Sequence, residues 1–206
     1  AINDVKLLLV LTYQNSRFFT RKNNIIISFQ KQVLLYEKNN ISFSDPSYIL
    51  PHPELNDGLC FRLRNAVSLP RHVQAHSDAV TELACCLCNM LESNGYIFDQ
   101  KLVRSGALLR HHAKTGGELF LQLGYPEISQ IISQHHGLLE TKLDEAAIVF
   151  LADKLIQETQ RVTIEKRFAD SMSKCKSPEA CKAHEQQLEQ ARKLQDMIQS
   201  LCHITL

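Results

Sequence analysis

Asp153 lies between Leu151 and Leu155 in the segment IVFLADKLI, an acid inside an apolar run. His76 falls in a helical stripe with Val80, Leu83, Leu87 and Met90. His135 and His136 close a run that carries Ile128, Ile131 and Ile132. A carboxylate in apolar surroundings is costly unless a cation answers it. Asp153 therefore needs either an Arg or Lys of the chain or a metal ion. A His and an Asp brought from separate helices to one core are how a protein builds a divalent site. Alone, His76 reads more simply as a hydrogen-bonded core histidine. His135 and His136 suit the negative end of a helix dipole. His72 and His76 are spaced i, i+4, but no Glu accompanies them in the H-E-x-x-H manner. His52, His72, His184 and His203 sit in polar or linker contexts and read as solvent-exposed.

Helices must position these groups. From Phe61 onward the apolar residues recur with helical period. A first long helix covers Leu69 to Met90 and ends at Asn94-Gly95. Asp99 caps a second, which carries Leu102, Val103, Leu108 and Leu109 and stops before Gly116-Gly117. Glu118 to Leu123 makes a short helix closed by Gly124, and Pro126 opens the next. Asp144 caps the segment that holds Asp153, and Thr163 starts another helix. Ser177-Pro178-Glu179 combines a cap, a proline and an acid at a helix start. The final helix shows one stripe, Ala191, Leu194, Ile198 and Leu201. Arg161 and the segment IEKRF (Ile164 to Phe168) follow the Asp153 helix. They read as a charged helix face or as a basic cluster able to reach a phosphate.

Residues 1–60 differ in kind. Val5 to Tyr13, Ile25 to Phe29 and Val33 to Tyr36 are strand-like, separated by Asn and Ser clusters. Three short strands make a poor core alone, so they are expected to pack on the rest of the chain or on a second copy, as in a homodimer. The expected organisation is a β-leaning N-terminal segment and linker over residues 1–62 and a mainly α domain over residues 63–206. Lys plus Arg number 23 against 22 for Asp plus Glu, a net charge of +1, which argues against nucleic-acid binding by bulk charge. No apolar run nears the roughly 18 residues of a membrane span. Leu7 to Leu11 is too short for a signal-peptide core. Of the seven cysteines, Cys85 and Cys88 have C-x-x-C spacing, but no second such pair exists to complete a zinc ribbon, and the cysteines read as reduced thiols in a cytoplasmic compartment.

The order HSDAVTELA, LVRSGALLRHHAK, ISQHHG, IVFLADKL resembles the HD-domain superfamily of metal-dependent phosphohydrolases, over residues 65–170. The stretch GELFLQLGYPEISQIISQHHG also looks like bacterial HD proteins associated with molybdenum-cofactor nucleotidyltransferases. The resemblance implies an HD-like helical bundle with the site at its centre and a small phosphate ester or nucleotide as substrate. His76 matches the family's first metal-binding histidine and Asp153 its last aspartate. The name-giving His-Asp pair should fall in ALLRHHAK, where family members read ALL-His-Asp-x-x-Lys. Here those positions hold Arg110 and His111.

That departure opens several readings. Arginine offers no lone pair to a metal. His111 could replace the aspartate, leaving His76, His111 and Asp153 as a set for zinc, iron, manganese or nickel. A metal there would supply a hydroxide at neutral pH, with Lys114 or Arg110 balancing charge on the phosphate oxygens. His135 and His136 match positions that serve a second metal or a phosphate site in some family members, while His112 is expected to face away. In the alternative, the site is converted: Arg110 pairs with Asp153, or Arg110 and Lys114 hold a phosphate. The chain would then be a catalytically inactive module that binds a nucleotide or phosphorylated ligand, with a regulatory or partner-binding role. A packing relic that serves only to pair with a partner is the third reading.

Overall fold

The computed structural model describes residues 55–66, 69–110, 113–122 and 125–206. The chain divides into two units, one of residues 1–54 and 121–125, the other of residues 55–120 and 126–206. The strand-like runs of the N-terminal segment lie outside the described residues. The last residues of that segment, from Asp57, are helical.

The second unit is mainly α. Its helices are α1 (Asp57–Ala66), α2 (Arg71–Ser93), α3 (Gln100–Leu109), α4 (Ala113–Gln122), α5 (Pro126–Gln134), α6 (Glu145–Lys154), α7 (Ile164–Met172) and α8 (Pro178–Cys202). Among the described residues the only strands are β1 (Ile156–Gln157) and β2 (Gln160–Arg161), an antiparallel hairpin that pairs Ile156 with Arg161. No helix among the described residues is long and apolar enough to cross a membrane.

Local chemistry explains the helix starts. Asp99, Asp144, Thr163 and Ser177 each accept a backbone N–H from the residue three further on, satisfying one of the donors a helix leaves open at its first turn. Asp144 Oδ1 takes the N–H of Ala147 at 2.9 Å and so fixes the start of α6. Every residue of α6 from Ala146 to Lys154 is buried. A helix apolar all round belongs at the centre of a domain, and α6 packs against α2, α3, α5 and α8. Val80, Leu87 and Leu91 of α2, Val103 of α3, Ile148, Phe150 and Leu151 of α6, and Leu194 and Ile198 of α8 form one core.

The expectation that the second helix continues to Gly116-Gly117 does not hold. It ends at Leu109, because Arg110 turns to extended backbone (φ −62°, ψ 118°). Arg110 Nη1 donates to the Ala107 carbonyl at 3.2 Å, satisfying an acceptor the terminated helix exposes. Gly116 and Gly117 lie instead inside α4. Gly117 is where α4 meets α5: Ser129 Oγ donates to its carbonyl at 2.7 Å, and a Cβ there would lie 2.0 Å from Ser133 Oγ.

Candidate functional site

α6 carries Asp153 near its C-terminal end, where the carboxylate is 7% exposed. Both oxygens are engaged. At Oδ1, Arg110 Nε donates at 3.1 Å, with Nη2 at 3.0 Å, and His76 Nε2 lies at 3.2 Å. At Oδ2, Lys154 Nζ donates at 3.1 Å. The end of α3, the second turn of α2 and the end of α6 thus meet on one carboxyl group. Of the expected site residues, the structure brings His76, Arg110 and Asp153 together.

The cluster is supported from outside. His76 Nδ1 donates to the Glu158 carbonyl at 2.8 Å, and Glu158 turns the β1–β2 hairpin in a left-handed conformation (φ 56°). Both nitrogens of His76 therefore face acceptors. Lys154 Nζ also donates to the His135 carbonyl at 3.0 Å and stands 5.0 Å over the Phe150 ring. A lysine so deeply buried is rare unless paired, and Lys154 is held at three sides.

Burial alone would raise the Asp153 pKa, but the charges of Lys154 and Arg110 and the bond to His76 hold it well below the usual carboxylate range. For Lys154 and Arg110 the balance falls the other way. Burial lowers both, and the attraction of Asp153 only partly opposes it. One buried anion thus serves two buried cations.

His135 is buried, and its Nδ1 donates to the Ile132 carbonyl at 2.5 Å. Burial, together with repulsion from His136, pushes its pKa down to about 4. The His136 ring lies 4.0 Å from that of His135, centroid to centroid, and the residue is exposed. Lys114 is exposed on α4 and is not among the groups that touch Asp153. His111 and His112 lie outside the described residues, as does His52. His72 and His203 are exposed as expected, whereas His184 is half-buried. Its Nε2 lies 2.7 Å from Ser171 Oγ and its ring 4.7 Å from that of Phe168. The polar context of His184 in sequence did not show that α7 would fold against it.

A histidine nitrogen and a carboxylate oxygen about 3 Å apart are also what two ligands on one metal present, since each would sit about 2.1 Å from the ion. The distance from His76 to Asp153 therefore does not separate the metal reading from the ion-pair reading. Charge does. A divalent ion at Oδ1 would stand roughly 5 Å from two cations, each repelling it by on the order of 6 kcal/mol at the effective dielectric of protein sites. Among the described residues no group of three or more His, Cys, Asp and Glu side chains is arranged to hold a metal ion. Of the three expected metal ligands, His76 and Asp153 meet here, and His111 lies outside the described residues.

Sequence reasoning missed Lys154. Its signal was present, since Lys154 is a second charge inside the same apolar run IVFLADKLI. It also passed over Arg64 on α1, which is 8% exposed and bonds Asp78 Oδ1 at 2.6 Å and the Gln74 carbonyl at 2.9 Å. Comparison of the chain with protein families, with curated proteins and with solved structures returns no match.

Proposed function

We propose that this chain is an HD-like helical module with a converted centre, which binds a small phosphorylated molecule or nucleotide and serves a regulatory or partner-binding role. The order of the four segments and the mainly α fold support the HD-like reading. The observation that carries the functional one is Asp153, whose two oxygens are taken by Arg110 and Lys154. Hydrolysis by the family's route requires a divalent ion where those cations stand. Arg110 remains the group with capacity to spare. Its Nη2, although 3.0 Å from Asp153 Oδ1, lacks the angle of a hydrogen bond and is buried without a partner. Guanidinium presents a planar fork that matches phosphate oxygens. Seven unpaired thiols suit a reducing, cytoplasmic setting.

A thermal-shift titration with inorganic phosphate, on protein freed of metal by chelator, tests this. A ligand that binds only the folded state raises the melting temperature with concentration. Phosphate is expected to stabilise the protein with EDTA present, and Arg110→Lys, which keeps the charge and loses the fork, is expected to remove most of that shift. Stabilisation by zinc, manganese or nickel that EDTA reverses, with phosphate inert, would overturn the reading in favour of a metal-dependent hydrolase.

A further inference from the structure

The turn from α7 into α8 brings two cysteines together. Cys175 lies just past the end of α7, and Cys181 lies near the start of α8. The connection between them is fixed at both ends. The Cys175 N–H donates to the Met172 carbonyl at 3.0 Å, and the Cys181 N–H donates to the Ser177 carbonyl at 3.0 Å. Ser177 Oγ takes the N–H of Ala180 at 3.2 Å, and Pro178 is locked in φ within the same turn. Side chains close the gap. Cys175 Sγ donates to the Ser171 carbonyl at 3.9 Å, and Ser171 Oγ lies 2.7 Å from His184 Nε2. His184 follows Cys181 by three residues, so the two share a face of α8, and a helical side chain leans toward the N-terminus. Cys175, Ser171, His184 and Cys181 thus form a ring across the turn. The two thiols complete it with a hydrogen bond to each other. Both are half-buried and unbridged, so an oxidant in solution can reach them.

We infer that Cys175 and Cys181 form a reversible disulfide switch that clamps α7 to α8 when a hydroperoxide reaches it. One thiolate attacks the peroxide, becomes a sulfenic acid and releases hydroxide, which is protonated to water. The second thiolate attacks that sulfur, forms the S–S bond and expels the sulfenic oxygen as a second water. Two thiols are thereby oxidised by two electrons, and hydrogen peroxide is reduced to two waters. In a reducing setting such bridges are transient and redox-sensing. The clamp acts on a helix that braces the Asp153 cluster. Gln157 Nε2 donates to Asp170 Oδ2 of α7 at 3.0 Å, and the next residue, Glu158, offers its carbonyl to His76. Oxidation therefore restrains the helix on which the support of His76 rests.

The full chain is treated with hydrogen peroxide, its remaining thiols are alkylated, and it is digested with trypsin. Lys174 and Lys182 flank the two cysteines and Lys176 lies between them, so only the bridge would hold Cys175-Lys176 to residues 177–182. Two of the seven thiols should escape alkylation, and the linked peptides should appear and then separate in dithiothreitol. Closing so short a loop should raise the melting temperature by about 4–8 °C and slow amide hydrogen exchange in α7. Cys181→Ser should lose the bridge and both of these effects, and leave on Cys175 a sulfenic acid that dimedone traps. Alkylation of all seven thiols, a bridge to another cysteine or between two chains, or a bridge that dithiothreitol leaves intact would overturn the switch. A bridge that forms while exchange in α7 stays unchanged would overturn the clamp.

Discussion

Replacing Arg110 by Met and Asp153 by Asn, singly and together, measures the charge balance at the centre of the domain. Arg110→Met strips Nε and Nη2 from Asp153 Oδ1 and leaves the carboxylate with Lys154 and His76. Removing one partner of a buried ion pair costs about 3–5 kcal/mol, and with one cation retained the lower end, about 3 kcal/mol, is expected. Asp153→Asn removes the only anion from two buried cations, so about 5 kcal/mol is expected at the upper end of the same range. Adding Arg110→Met to Asp153→Asn takes away one of the two orphaned cations. The double variant should therefore be no less stable than Asp153→Asn alone, although the single costs sum to about 8 kcal/mol. The chain has no tryptophan, so urea unfolding is followed by far-ultraviolet circular dichroism of the helices. A loss of 3 kcal/mol lowers the melting temperature by about 6–12 °C in a domain of this size. Single costs that add to within about 0.5 kcal/mol in the double variant, or an Asp153→Asn cost below about 1 kcal/mol, would refute the idea that one anion serves both cations.

Two further expectations follow from the same packing. Folding holds His135 neutral, with a pKa of about 4 against 6.5 in the unfolded chain. Between those values the unfolded state binds the extra proton, so stability is complete above pH 6.5 and is lost as pH falls toward 4. The full loss attributable to this residue is about 3 kcal/mol, at 1.4 kcal/mol per pH unit over the window from 6.5 to about 4. His135→Asn, which keeps a donor for the Ile132 carbonyl, should flatten the stability profile in that window, and an unchanged profile would count against the assignment. At Gly106, a Cβ would lie 2.7 Å from Ile131 Cγ2. Gly106→Ala should therefore lose about 1–3 kcal/mol by overpacking despite a helix-propensity gain of about 1 kcal/mol. In the Ile131→Ala background, urea unfolding should show that penalty largely gone; an equal penalty in both backgrounds would mean the contact is not its cause.

Local signals carried much of the fold. Asp99, Asp144, Thr163 and Ser177 were legible as caps because capping needs only one side-chain oxygen and a backbone three residues on. Val80, Leu83 and Leu87 were legible as core because helical period fixes a face, and Leu194 and Ile198 likewise. The break at Arg110 was not legible. LVRSGALLRHHAK has no proline and no turn residue at that point. The helix stops there while the side chain of Arg110 reaches Asp153, a residue 43 positions away in sequence. His184 was misjudged for the same reason, since its partner Ser171 reaches it only through the packing of α7 on α8.

The cluster at Asp153 shows where pattern reading stops. The requirement was visible: an acid in an apolar run needs a cation, from the chain or from a metal. What was not visible is that α6 is enclosed on all sides. Consecutive residues on a helix point about 100° apart, so beside an ordinary amphipathic helix one of Asp153 and Lys154 would reach water and pair weakly there. Because α6 packs against α2, α3, α5 and α8, neither can, and Lys154 must share the carboxylate that Arg110 also needs. The enclosure of α6 thus turns an expected pair into a cluster with more positive than negative charge. Such an excess would disfavour a divalent cation and favour an anion, which is what the proposed phosphate-binding role requires of this packing.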